Sequence, residues 1–358
     1  MIRFIVRRLL SSIPVLLGVV LLVFILARVI PGDPCRAALG ERATDAICDD
    51  FEARYGLDKP LPIQFAVYIA KLAAGDLGSS IRFGRPVADI LAERLPLTLE
   101  LTLFALIFAT FFGVLLGILS ALRRNSPVDV GTMIVANLGV STPVFVLGLL
   151  LQIIFALALK DTILAMPPSG RLTAGLSVVP LTTAWGLQDL QGPLRAILDF
   201  VSHMFLVSTL ITGQWNIFWD AVRHLILPAV AVGTIPLAII ARMTRSSLLE
   251  VLGLDYIRTA RAKGLRERAV VVRHGLRNAM LPVVTVIGLS LGAFLSGAVL
   301  TETIFNLAGI GRTIVEAIEG RDFIIIQGVT IVIAIAYLLV NLIVDVSYAV
   351  LDPRIRLS

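Results

Sequence analysis

Apolar residues along this chain form long continuous runs, and charged residues are concentrated between the runs. Six runs are long enough to cross a bilayer, since a transmembrane helix needs about 20 apolar residues. A seventh run, 194–211, is interrupted by Asp199 and His203, and we interpret it as interfacial or re-entrant. The pattern predicts an all-α membrane protein with six transmembrane helices. The six predicted spans are 9–30, 97–122, 132–159, 225–241, 280–305 and 324–351.

The first run follows a basic start with Arg3, Arg7 and Arg8, as in secretory signal peptides. The run is longer than the apolar core of such a peptide, and no small-x-small cleavage motif follows it. We therefore predict an uncleaved first transmembrane helix.

The charges between the runs predict orientation, because Lys and Arg favour cytoplasmic loops. The segment 242–279 holds nine basic and three acidic residues, and Arg123 and Arg124 follow the second run. The segment 31–96 holds eight basic and ten acidic residues. This alternation predicts that 242–279 and both termini are cytoplasmic, and that 31–96 and 160–223 are extracytoplasmic.

Composition supports a membrane protein. Of 358 residues, 57% are hydrophobic and 16% charged, whereas a soluble domain carries roughly 25% charged residues. The net charge of +6 is typical of nucleic-acid-binding proteins, but here it is explained by cytoplasmic loops, and we expect no nucleic acid partner. The segments outside the spans are too short or too apolar to form a separate soluble catalytic domain.

These assignments divide the chain into three regions. Residues 1–30 form an N-terminal transmembrane helix and 31–96 the first extracytoplasmic loop. Residues 97–358 form a five-helix core, which contains the cytoplasmic loop 242–279 and the extracytoplasmic insertion 160–223.

The two cysteines, Cys35 and Cys48, both lie in the predicted first extracytoplasmic loop. They either form a disulfide, as an oxidising compartment allows, or remain free thiols. No metal site is expected, because His203, His224 and His274 are distant in sequence.

The most basic cytoplasmic loop contains a predicted short helix, with Asp255 as candidate N-cap and Gly264 as the stop. Tyr256, Ala260 and Lys263 share one face of it by their spacing. This face, which has an aromatic anchor, a small residue and a terminal cation, suits docking into a groove on a partner protein. A basic amphipathic helix can equally lie on anionic lipid.

The motif YIRTARAKG, followed by RHGLRNAMLP, resembles the EAA-type loop of ABC importer permeases, in its peptide-importer version. In that family the loop forms a coupling helix seated in an ATPase subunit. Only the second alanine of the E-A-A positions is kept, and Gly264 lies further from Pro282 than in sugar permeases; both features resemble the peptide/nickel branch. The resemblance assigns ATPase coupling to Asp255, Tyr256, Arg258, Thr259, Ala260, Ala262, Lys263 and Gly264.

Further motifs extend this resemblance over most of the chain. They include ARVIPGDP, RYGLDKPLPIQFAVYI, GDLGSSI, RLPLTLELTLFAL, TETIFNLAGIGRTIVEAIEGRDFIIIQG and NLIVDVSYAVLDPRIR. The poorly matched part, 159–213, looks like an enlarged extracytoplasmic region between helices 3 and 4. The resemblance implies the type I ABC importer permease fold, with both termini inside a bacterial inner membrane.

The same resemblance implies the partners. They are a second homologous permease, two ABC ATPase subunits and an extracytoplasmic peptide-binding protein, all working in membrane lipid. The chain has no GK[ST] phosphate loop, so we expect no cofactor in it, and ATP and Mg²⁺ in the ATPase subunits.

Polar residues within spans are candidates for the translocation path. Glu100 and Glu302, near the outer ends of their helices, either attract a peptide amino terminus or are ordinary interfacial acids. Asn137 and Ser141 either line the path or satisfy backbone groups freed by Pro143.

Two arginines, Arg312 and Arg321, lie in the extracytoplasmic segment before the last span. By the resemblance, they are candidates for contact with the binding protein. Small residues at Gly113 and Gly117 have the spacing that lets membrane helices pack closely.

Three classes of function are compatible with a polytopic membrane protein. An importer permease requires separate ATPases. An intramembrane enzyme requires paired catalytic groups at membrane depth, which the predicted spans lack. An ion-gradient-driven carrier requires a midplane acid and internal repeats. The permease is favoured, with peptide as substrate and nickel or glutathione as alternatives.

Overall fold

The computed structural model describes residues 2–29, 35–36, 40 and 43–351. The IPGDP motif after the first helix and the DPRIR motif near the C-terminus lie outside these residues. The described residues are mostly helical, and their only β-type pairing is an isolated bridge between Ser79 and Pro86. In chain order, the helices are α1 (Ile2–Val29), α2 (Asp45–Tyr55), α3 (Leu61–Ala73), α4 (Val87–Leu122), α5 (Pro127–Ser141), α6 (Val144–Leu151), α7 (Leu181–Ala184), α8 (Pro193–Ser202), α9 (Phe205–Thr212), α10 (Trp215–Leu252), α11 (Asp255–Ala262), α12 (Glu267–Ala269), α13 (Arg277–Ile304), α14 (Ile310–Glu319) and α15 (Phe323–Leu351), with π-helical segments at Gln152–Ala158 and Val270–Leu276.

Within the described part of the chain, five helical stretches are long and apolar enough to cross a membrane. Two bent helix pairs raise this number to as many as seven if each pair is counted as one span. The five stretches are Phe4–Leu26, Val87–Leu122, Trp215–Leu252, Glu267–Gly292 and Phe323–Val346.

The predicted third span, 132–159, is bent rather than straight. Its two halves, Pro127–Ser141 and Val144–Ala158, meet at 106°. Thr142 has φ −101° and ψ 125°, outside the helical region, because the proline ring that follows disfavours helical backbone in the preceding residue. The interrupted run predicted at 194–211 forms the second bent pair, α8 and α9, which meet at 99°.

Two predicted spans are longer than their apolar runs. α4 begins at Val87, ten residues before the predicted start, and continues through Pro96. α10 extends the predicted 225–241 at both ends to 38 residues and contains Pro228 and Pro236. The apolar run marks the part of a helix that suits lipid, whereas backbone hydrogen bonding continues into the polar flanks.

The chain groups into two compact units, Met1–Pro96 with Ala308–Leu339, and Leu97–Leu307 with Val340–Ser358. In the first unit, Val87 and Ile90 of α4 form a buried cluster with Ile310 and Ile325. In the second unit, α10 is the central helix and packs against α5 and α13.

Close contact between α4 and α10 depends on two glycines. A Cβ added at Gly117 would lie 2.6 Å from the carbonyl oxygen of Ala241 and from Cβ of Thr244. A Cβ at Gly113 would lie 2.9 Å from the carbonyl oxygen of Leu237. Both glycines therefore let the two backbones approach as small residues do in membrane helices.

We expect Gly117→Ala to destabilise the purified chain by about 1–3 kcal/mol, the usual cost of overpacking. Gly131→Ala is the matched control, because a Cβ at Gly131 meets no atom within 4 Å. In the control, the helix propensity of alanine is expected to stabilise the chain by up to about 1 kcal/mol. Thermal unfolding in detergent measures both; a neutral Gly117→Ala would contradict the close contact.

Candidate functional site

The predicted coupling helix is present as α11, Asp255–Ala262. Its N-cap is Leu254, with φ −75° and ψ 151°, so the prediction of Asp255 as N-cap was wrong by one position. At the other end, Gly264 has φ +75°, which glycine adopts without steric cost. Its N–H donates to the carbonyl of Arg261 at 2.9 Å, which closes the end of the helix.

One face of α11 packs against its own chain. Ile257 is fully buried and Ala260 is 7% exposed, and both lie in a cluster with Val270 and Leu252. The prediction that Ala260 shares an open docking face with Lys263 was therefore wrong. Ile257 and Ala260, three residues apart, form an apolar stripe on α11. This stripe packs against the end of α10 and against the π-helical segment that follows.

The rest of the α11 surface, outside the stripe of Ile257 and Ala260, is exposed and mostly polar. Tyr256 is 39% exposed, and its hydroxyl donates to the His274 carbonyl at 3.2 Å and accepts from Asn278 Nδ2 at 2.7 Å. These bonds attach α11 to the π-helical segment Val270–Leu276 and to α13, beside a surface cavity of about 460 Å³ that Arg273 and Arg277 also line. The other exposed predicted coupling residues are Asp255, Arg258, Thr259, Ala262, Lys263 and Gly264.

An ion pair between buried Asp129 and partly exposed Arg245 joins α5 to α10. Arg245 donates from Nε and Nη2 to the two carboxylate oxygens of Asp129, each at 2.8 Å. Ser120 of α4 also donates to this carboxylate, as does the backbone N–H of Asn125 at 2.9 Å. This network was not predicted from the sequence, although Asp129 three residues after Ser126 is a recognisable helix-start pattern.

The two predicted path acids lie inside the second unit. The Glu100 carboxylate accepts from Arg171 Nη2 at 2.6 Å and from the N–H of Leu206 at 2.6 Å. Glu302 is fully buried and accepts from the Thr98 hydroxyl at 2.6 Å. Both carboxylates are therefore held by protein donors in this conformation.

Asn137 and Ser141 are exposed on α5, close to the bend before Pro143. Arg242 of α10 donates to the side-chain oxygen of Asn137 at 3.3 Å. This part of α5 therefore carries a polar group beside a cation, among exposed apolar residues such as Leu138.

In the first unit, Arg321 is exposed with φ +51°. Arg312 donates to Glu316 at 2.8 Å, and Arg94 donates to the same carboxylate at 3.0 Å. Burial favours the neutral form of Glu316, but the hydrogen bond from Arg94 and the charges of both arginines prevail and lower its pKa. Arg312 is therefore part of a charge cluster, whereas Arg321 projects from a turn.

The structure joins Cys35 and Cys48 in a disulfide, one of the two alternatives that the sequence left open. Cys35 is fully buried, and both cysteines pack against Phe51. The bridge fastens the start of α2 to the preceding segment.

The chain matches two family sequence models in adjacent regions. Residues 113–357 match the binding-protein-dependent transport system inner membrane component family. Residues 1–102 match the N-terminal region of such membrane components.

Its curated relatives are aligned over almost their whole length. The dipeptide transport system permease protein DppB of Alkalihalophilus pseudofirmus is 44% identical over 356 residues, 99% of this chain and 100% of the relative. The di/tripeptide transport system permease protein DppB of Pseudomonas aeruginosa is 45% identical over 357 residues, 99% of each chain. The dipeptide transport system permease protein DppB of Escherichia coli K12 is 44% identical over the same coverage.

Proposed function

We infer that this chain, which belongs to the binding-protein-dependent transport system inner membrane component family, is a permease subunit of an ATP-driven peptide importer. It is a transport subunit of the inner membrane that crosses the bilayer several times. We propose dipeptides as substrate class, in line with the relatives; nickel complexes and glutathione are less favoured.

The proposed assembly contains this chain and three further kinds of subunit. A second permease completes the translocation path, two ABC ATPases bind ATP and Mg²⁺, and an extracytoplasmic binding protein delivers the peptide. The family description names dependence on a binding protein, and the exposed polar face of α11 is a suitable docking surface for an ATPase. No cofactor is proposed for this chain.

We propose six spans, formed by α1, α4, the bent α5–α6 pair, α10, α13 and α15. The bent α8–α9 pair lies at the extracytoplasmic surface, within an enlarged region between the third and fourth spans. Both termini are cytoplasmic in this topology, as the basic residues of 242–279 support.

The proposed mechanism depends on the division of α11 into an exposed polar face and a buried apolar face. ATPase closure displaces the exposed face. Ile257 and Ala260 transmit the displacement to the end of α10, and Tyr256 transmits it to α13. The Asp129–Arg245 pair couples α10 to α5, so the spans move together between inward-open and outward-open states.

The residues along the path remain candidates. Asn137 and Ser141 are proposed to line it beside the α5–α6 bend; for Glu100 and Glu302 this role requires release from their present partners. Arg321 is the better placed of the two candidate contacts for the binding protein, because Arg312 is engaged with Glu316.

The test of this function is affinity purification of the tagged chain from mild detergent, with identification of co-purifying subunits. We expect a second permease and P-loop ATPases, and ATP-dependent dipeptide uptake when the assembly is reconstituted with binding protein. Isolation of the chain alone, with uptake driven by a proton or sodium gradient, would contradict the proposal and favour a carrier.

A further inference from the structure

A cavity of about 300 Å³ lies in the first unit, between the end of α1, α3 and the start of α15. This volume is at the lower end of those that hold small ligands. Three basic side chains line it, Arg28, Lys59 and Lys71, against one acid, Asp76. Asp76 already accepts a hydrogen bond from the N–H of Gly78 at 2.8 Å.

The guanidinium of Arg28 is held in a fixed position at the cavity. Its Nε donates to Gln64 Oε1 at 2.9 Å, and Gln64 donates in turn to the carbonyl of Lys59 at 2.7 Å. The guanidinium carbon lies 3.6 Å from the ring centroid of Phe24. A cation fixed in this way loses little conformational entropy when an anion binds.

Two further polar groups at the cavity are buried and lack a partner among the described residues. They are the hydroxyl of Tyr68 and Nε2 of Gln327, whose residue is only 6% exposed. Burial raises the pKa of Tyr68 to about 12, so its hydroxyl remains a donor at neutral pH. Buried groups of this kind indicate a missing partner. An anion would supply such a partner, because three cations and these donors line the cavity against one acid.

The cavity is placed at the membrane surface. α3 is apolar, has 13 residues and no buried residue, so it is too short to span the bilayer. Leu61 and Ile63 are 57% and 49% exposed, and Val67, which also lines the cavity, is 44% exposed. Phe65 of α3 meets the ring of Phe24 edge to face and Tyr68 stacks on it, near the end of the first span. α3 therefore lies along the interface, at the depth of lipid head groups.

We propose that this cavity binds the phosphate of an anionic phospholipid, whose acyl chains lie along the exposed apolar face of α3. Lys59 and Lys71 attract the phosphate, Arg28 contacts it, and Tyr68 and Gln327 donate hydrogen bonds. In the proposed topology the lipid belongs to the extracytoplasmic leaflet; the binding itself does not depend on that assignment or on transport.

The test is lipid binding to the delipidated, detergent-purified importer, measured by native mass spectrometry during titration. Phosphatidylglycerol is compared with phosphatidylcholine of the same acyl chains and with free glycerol 3-phosphate. We expect phosphatidylglycerol to remain bound to the tagged chain. Lys59→Gln and Lys71→Gln are each expected to lower the affinity for this lipid roughly fivefold. Tyr68→Phe, which removes only the hydroxyl, is expected to weaken binding severalfold.

Lys160→Gln is the matched control, an exposed lysine in the other unit, and is expected to bind as the unaltered chain does. Three results would overturn the proposal. They are equal retention of phosphatidylcholine, unchanged retention in the double lysine variant, or competition by glycerol 3-phosphate at equal concentration, which would indicate a site for a small free anion.

Discussion

Gly264→Pro is expected to reduce ATP-driven peptide import to background while the chain still inserts into the membrane. Gly264 has φ +75°, whereas proline is confined near −65°. Proline also removes the N–H that bonds to the Arg261 carbonyl at 2.9 Å. The end of α11 must therefore rearrange and displace the exposed face proposed to contact the ATPase. Uptake of a labelled dipeptide by cells expressing the whole importer measures the effect, with membrane fractionation as the insertion check.

Thr259→Trp separates docking from folding. Thr259 is exposed, and among the described residues its hydroxyl bonds only within α11, to the Asp255 carbonyl at 3.1 Å. Tryptophan there leaves the chain's own packing intact but obstructs a partner groove, so uptake is expected to fall with unchanged thermal stability. Thr259→Ser is the matched control and is expected to transport normally. Normal uptake in both Gly264→Pro and Thr259→Trp would exclude α11 as the coupling element.

Ala260→Trp is a weaker test of docking than Thr259→Trp. Helical spacing places Ala260, Tyr256 and Lys263 on one side of a helix, but spacing does not say which side faces the partner. In the structure Ala260 is 7% exposed, because it lies on the side of α11 that packs against its own chain. An indole at this position overfills the contact with Ile257 and Val270, so loss of uptake would not distinguish lost docking from local misfolding.

The sequence predicted the main helices well because burial in lipid requires long apolar runs. It did not predict the 106° bend within 127–158, because the chain is apolar on both sides of Pro143. Pro143 alone does not predict the bend, because a proline inside a span is compatible with a straight, a kinked or a broken helix. Tertiary packing decides among these, and hydropathy contains no information about it.

Site residues were predictable only where local sequence determines their role. The turn at Gly264 is local, and the glycine that forms it was identified. The partners of Glu100 are not local, since Arg171 is 71 positions away and Leu206 is 106 away. A single sequence gives no sign of such pairings, so Glu100 was interpreted from its depth in the membrane alone.

Arg171→Met is expected to destabilise the chain by about 3–5 kcal/mol, the usual cost of leaving one buried charge without its partner. The Glu100 side chain is 2% exposed and Arg171 17%, with 2.6 Å between them. The Arg171 guanidinium also lies 3.5 Å from the Phe205 ring centroid and donates to the His203 carbonyl. Thermal unfolding of the purified chain measures the loss. Arg195→Met, which breaks an exposed pair with Asp199, is the control and should cost at most about 1 kcal/mol.

The double variant Glu100→Leu/Arg171→Met decides what Glu100 does. Replacing both partners of a buried ion pair with apolar residues removes the uncompensated charge, so most of the lost stability should return. If the pair serves only to hold the insertion 160–223 against α4, the double variant regains dipeptide uptake together with its stability. If Glu100 also binds the peptide amino terminus when the path opens, the double variant is stable but has a raised KM for dipeptide. Failure of the double variant to regain stability would contradict the buried pair itself, because the two single losses would then add as independent contributions.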